Sequence, residues 1–127
     1  MKKLFLALVA LGMLAPLFVA CGGASSNSTG GNYTLHMTDM NFAQASITIP
    51  EGSTLTLVND SSAPHILANG SWMNGSSQAM HEQGMPMMGN MQVMGNGSLT
   101  IGPFTIPGTY HFYCTVHPGM NLTVVVQ

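Results

Sequence analysis

The chain is 127 residues long, carries a formal net charge of −2 at pH 7, and is 46% hydrophobic, which allows one domain and little else. Its two cations are Lys2 and Lys3, so everything downstream holds only the carboxylates Asp39, Glu51, Asp60 and Glu82. Nucleic acid is excluded as a partner because nothing can neutralise phosphate; the scarcity of carboxylates leaves few groups whose protonation would unfold the protein in acid, which fits an acidic habitat.

The first predicted element is a leader. Lys2 and Lys3 precede an apolar run over residues 4–20, LFLALVALGMLAPLFVA, which meets small residues and a cysteine at Ala20–Gly23. A run of this length is about the minimum for a membrane span, but Pro16 and the small residues before Cys21 favour a signal peptide over residues 1–20. The junction FVAC-GG resembles the lipobox of bacterial lipoproteins, which implies lipidation at Cys21 and secretion across the cytoplasmic membrane. The mature protein would be anchored to its periplasmic or extracellular face, each buried acyl CH₂ contributing about 0.8 kcal/mol. Residues 21–32 then read as a lipidated, flexible tether, polar and rich in Gly, Ser and Asn.

From residue 33 to residue 127 the pattern is that of short strands in one domain. YTLHMTDM, ASITIP and STLTLVN alternate, and Pro50-Glu51-Gly52 and Asn59-Asp60-Ser61 close them as turns. PHILA (64–68), SLTIGPFTI (98–106), GTYHFYC (108–114) and LTVVV (122–126) follow. The expectation is an all-β, Greek-key β-sandwich of about seven or eight strands. Residues 69–97 interrupt it, show no strand alternation and hold seven of the twelve methionines, so they read as a Met-rich loop insertion.

The chemistry lies in YHFYCTVHPGM, residues 110–120. Alternation puts Tyr110, Phe112 and Cys114 on one face, which two aromatics mark as the buried one, and turns His111 and Tyr113 the other way. His117 precedes Pro118-Gly119, a turn signal, so Cys114, His117 and Met120 can all point into one tight loop. With Cys21 consumed by lipid, Cys114 has no disulfide partner in an oxidising compartment and needs burial or a metal. Two His and one Cys in a trigonal array with a weak axial Met make a blue-copper site. His65, at the start of a strand able to pack beside 108–114, is the natural second histidine. Zinc suits the set less well because Met is a poor zinc ligand, and a two-copper centre would need a second cysteine in the loop.

At these residues the chain resembles the cupredoxin family, the plastocyanin, amicyanin and azurin group. GTYHFYCTVHPGM is similar to the plastocyanin-type ending, the Cys-x-x-His-x-x-Met loop to the short amicyanin one, and TDMNFAQASITIPEGSTLTLVND followed by PH to the early strands. The resemblance implies one copper ion cycling between Cu(II) and Cu(I), with His65, Cys114 and His117 as equatorial ligands and Met120 as the axial one. It implies that Tyr113 belongs to a remote electron-transfer surface and that His117 reaches an apolar docking face. Ile66 stands where the family usually has an Asn tying the two ligand loops; the more apolar surroundings favour Cu(I) and predict a relatively high reduction potential.

The implied function is a one-electron carrier at the outer face of a membrane, monomeric, passing electrons between a donor and an acceptor such as a cytochrome or a membrane oxidase or reductase. With no general base, nucleophile or open metal position in view, it is not expected to be an enzyme. The Met-rich segment is read most plainly as an apolar cover. Two alternatives are a soft Cu(I) site drawn from Met80, His81, Met85, Met87 and Met88, which would suit a copper chaperone, store or sensor, and a partner-docking surface.

Overall fold

The computed structural model describes residues 30–127. The signal peptide over 1–20, lipidation at Cys21 and most of the tether lie outside the described residues. Packing is already in place at the end of that stretch, where Gly31 donates its N–H to Ser53 Oγ at 3.2 Å and accepts from Thr54 N–H at 2.9 Å.

Nine strands follow in chain order: β1 (Asn32–Met37), β2 (Ser46–Ile49), β3 (Ser53–Asn59), β4 (His65–Met73), β5 (Ser76–Ala79), β6 (Met91–Val93), β7 (Ser98–Phe104), β8 (Gly108–Cys114) and β9 (Asn121–Val126). They form two sheets, ordered β1-β3-β7 and β2-β9-β8-β4-β5, with β6 also paired to β4. The all-β sandwich expected from alternation is present. Strict alternation makes the inner faces: in β3 Ser53, Leu55, Leu57 and Asn59 are buried, and in β9 Leu122, Val124 and Val126. Phe104, Tyr110 and Phe112 fill the space between the sheets, with Phe112 edge-on to Phe104 at 6.2 Å between ring centroids. Each such side chain removed from water contributes about 1.5–3 kcal/mol, which makes this layer the main source of stability.

The extra strands correct the picture of residues 69–97 as an insertion without strands. β4 does not stop near Ala68 but runs to Met73, and Asn74-Gly75 turns it into β5. Asn74 has φ 50° and Gly75 φ 79°, the pair of left-handed residues that a two-residue hairpin turn requires. β6 then returns antiparallel to the start of β4, pairing Val93 with His65. Polar Ser76–Ala79, exposed throughout, have no buried face, so no alternation of apolar residues signals β5.

Candidate metal centre

Cys114 is the last residue of β8, one place beyond the edge of the aromatic core, and is fully buried. β8 pairs antiparallel with β4 through Leu67 opposite Cys114, and this register brings His65, two residues away on β4 and also fully buried, to the same end of the sandwich. The chain then closes on itself: Cys114 N–H donates to the Met120 carbonyl at 3.0 Å and Met120 N–H to the His117 carbonyl at 3.1 Å. Gly119, at φ 82°, makes the left-handed step that completes the turn. His117 is thereby half-buried and Met120 only 1% exposed.

Three donor atoms meet here. His65 Nδ1 lies 3.1 Å from His117 Nδ1, Cys114 Sγ lies 3.3 Å from His117 Nδ1, and Cys114 Sγ lies 3.6 Å from His65 Nδ1. Bonds of about 2.0–2.1 Å to imidazole nitrogen and about 2.3 Å to thiolate would set the edges of a planar three-ligand array at about 3.5–3.8 Å. The observed triangle is about 0.2–0.5 Å tighter than that, and its two imidazoles and sulfur, with Met120 buried in the same turn, suit copper. Burial, aided by the neighbouring His117, holds the His65 imidazole below the usual histidine range, with the Thr38 carbonyl and Asp39 pulling weakly the other way. A neutral ring with its Nδ1 lone pair facing His117 and Cys114 is the form a metal needs.

The structure brings together His65, Cys114 and His117 and buries Met120 at the end of the same turn, but the sequence did not disclose what holds them. Ile66 lacks a side chain able to tie the loops, yet its backbone does so, accepting Thr115 N–H at 2.7 Å. A second tie comes from Trp72, whose indole Nε1–H donates to the Cys114 carbonyl at 2.8 Å. Trp72 is itself fixed by Asn121, which accepts its N–H at 2.7 Å and donates to its carbonyl at 3.0 Å. A third comes from Asn59, 1% exposed: its amide donates to the Ala63 and Met94 carbonyls at 2.8 and 3.1 Å, and its Oδ1 accepts Ser61 N–H and Oγ–H, pinning the turn that leads into His65.

Tyr113 faces away from Cys114, as alternation predicts, but that face is not open. Trp72 packs edge-on against Tyr113 at 6.0 Å and leaves it 8% exposed, at the floor of a cleft of about 410 Å³ also lined by Met80, His81, Met87 and Met88. Of the Met-rich residues, Met85 and Met88 are 6% and 3% exposed and belong to the core, whereas Met87 is 66% exposed. Met85 is not among the residues of the cleft and serves packing instead.

Residues 30–127 match the family of copper binding proteins described as the plastocyanin/azurin family, and the chain belongs to it. Amicyanin-alpha from Methylorubrum extorquens (strain AM1) is 29% identical over 121 residues, covering 95% of this chain and 93% of its own. Among solved structures, amicyanin from Paracoccus versutus superposes with a TM-score of 0.57 at 21% identity, covering 76% of this chain and 81% of that one. The Cu(I) form of an amicyanin variant gives a TM-score of 0.57 at 24% identity, over 76% of this chain and 83% of that one. With this family and this donor set, the protein is an amicyanin-like carrier of electrons rather than an enzyme, and its centre fits one copper ion.

Proposed function

We propose that this electron carrier works at the outer face of a membrane, tethered through a lipidated Cys21, and passes one electron at a time between redox proteins such as a cytochrome and a membrane oxidase or reductase. A bound copper would supply the Cu(II)/Cu(I) couple. The observation that carries the reading is the closed triangle of His65, Cys114 and His117, with Met120 buried at the end of the same turn. His65 and Cys114 are held on the rigid β4–β8 pair, and His117 by the backbone bonds of its turn, so the donor set keeps one shape whichever oxidation state it serves. His117 is the ligand that reaches solvent, beside exposed Val116, Pro118 and Gly119, and this small uncharged rim suits a short-lived encounter with a partner. Tyr113 gives a second way in, by the cleft rather than an open patch.

Protein loaded with Cu(II) is expected to be intensely blue and to bleach reversibly with ascorbate, and Cys114→Ser to be colourless. A colourless wild-type protein that binds several Cu(I) would instead favour a copper-handling role. For the membrane, Cys21→Ala is expected to move the protein from the membrane fraction to the soluble one; an unchanged distribution overturns the lipid tether.

A further inference from the structure

The cleft over Tyr113 has a construction that packing alone does not explain. Two separate segments form its walls, and both are fastened to Asn69 on β4. The Asn69 carbonyl accepts Met80 N–H at 3.3 Å, while its side chain donates to the Pro86 carbonyl at 3.0 Å and accepts Met88 N–H at 2.6 Å. Met87 therefore sits between two anchored neighbours. Met88 turns into the core and Met87, on the same fixed backbone, turns out, 66% exposed. On the other wall Met80 is anchored to Asn69, and Glu82 is paired through Oε1 with His111 Nδ1, so His81 is likewise bracketed by fixed residues. Tyr110 adds a bond from its hydroxyl to the Gln83 carbonyl at 3.2 Å.

We propose that Met80, His81 and Met87 form a second metal site, specific for a cuprous ion and separate from the centre at His65, Cys114 and His117. All three line the same cleft. Two thioethers and an imidazole, with no carboxylate among the residues lining the cleft, form a soft, uncharged donor set that selects Cu(I) over zinc, calcium or magnesium. Exposed thioethers on an ordered backbone bury little apolar surface where they stand, so packing does not account for Met87. Anchoring at Asn69 and at the Glu82–His111 pair lowers the ordering cost that a flexible Met-rich stretch would carry on binding.

The test is a Cu(I) titration of the full chain under reducing, anaerobic conditions, in competition with a chromophoric Cu(I) chelator. Wild type is expected to take up two Cu(I) per chain. Cys114→Ser is expected to retain the cleft site. Met80→Leu/His81→Gln/Met87→Leu is expected to keep only the other site, together with the blue colour of its Cu(II) form. Exposed Met87→Leu alone avoids any folding loss and should weaken the cleft site at least tenfold, whereas Met94→Leu, exposed but not among the cleft residues, should leave it unchanged. Shifts of the Met80 and Met87 methyl NMR signals on Cu(I) addition would identify the ligands directly. A wild-type stoichiometry of one, or of two that survives the triple substitution, overturns the second site while leaving the blue centre intact. A wild-type protein without blue colour that still binds Cu(I) in the cleft would overturn the electron-carrier reading alone.

Discussion

The turn from Cys114 to Met120 and the segment from Met80 to Asn90 both carry sulfur and imidazole, yet they are held in different ways. The first is closed by its own backbone, through Cys114 N–H to Met120 and Met120 N–H to His117. The second has few such bonds and depends on side chains from elsewhere: Asn69 on β4, His111 and Tyr110 on β8. A backbone-closed turn fixes its side chains by spacing alone, so Cys-x-x-His-x-x-Met is meaningful as a string. A segment fastened from a distance takes its geometry from residues that are not its neighbours in sequence.

Substituting the two buried asparagines tests this most strongly. Asn59→Ala would leave the N–H of Ser61 without a partner and take one of two donors from each of the Ala63 and Met94 carbonyls, which keep Ser61 Oγ–H and Gly97 N–H, whereas Asn69→Ala would leave both Pro86 O and Met88 N–H without partners. At about 1–3 kcal/mol for each buried polar group left unsatisfied, Asn69→Ala is expected to lower unfolding free energy by about 2–4 kcal/mol and Asn59→Ala by about 1–3 kcal/mol, measured by chemical denaturation. The two should then separate. Asn59→Ala disturbs the approach to His65 and should alter the copper spectrum; Asn69→Ala should leave the spectrum alone and raise hydrogen exchange at the Met88 amide. Equal effects on the spectrum would show that the two regions are not independent.

Trp72→Phe is a smaller change on the copper side. It keeps most of the ring contact with Tyr113 but removes the N–H from the Cys114 carbonyl. A loss of about 1 kcal/mol is expected. The lost dipole had its positive end toward the more electron-rich reduced centre, so the reduction potential should fall. An unchanged potential would reduce Trp72 to a packing residue.

These three residues mark the boundary of what the amino-acid sequence discloses. The sandwich was legible because Leu55, Leu57, Leu122, Val124 and Val126 alternate with polar neighbours, and the ligands because their spacing is local. His65 was legible because it opens a strand, flanked by Pro64, that could pack beside β8, and because the family resemblance implies a histidine there. Trp72, Asn59 and Asn69 were not: they bond to residues 42, 35 and 17 positions away, and an Asn that satisfies buried carbonyls is indistinguishable in a string from one at a solvated turn. β5 was hidden by its exposed, polar composition, and Asn74-Gly75, though a strong hairpin signal, is one of three Asn-Gly pairs in the chain.

Ile66→Asn probes the position beside His65 where the resemblance to the family leads one to expect an Asn. The loops are already tied by the Ile66 carbonyl, so the substitution adds a polar side chain without restoring a missing connection. A more polar shell favours Cu(II), and the potential is expected to fall with little change in stability. A potential that stays level or rises would refute the link between Ile66 and a high potential.

The least costly substitution is expected to be Glu82→Gln. The Glu82–His111 pair has side chains 26% and 34% exposed, so solvent screens much of its attraction, and such pairs contribute about 0–1 kcal/mol. Gln keeps the length and one acceptor for the His111 ring nitrogen, and it replaces a buried carboxylate oxygen that has no partner. Stability should therefore change by less than about 1 kcal/mol, with the blue spectrum unaltered. The sharper reading comes from the cleft, because the pair is one of the brackets around His81. If side-chain fastening orders the Met-rich segment, Glu82→Gln should weaken Cu(I) binding there more than it weakens the fold. Cuprous affinity indifferent to the substitution would mean that Asn69 alone sets the geometry of that segment.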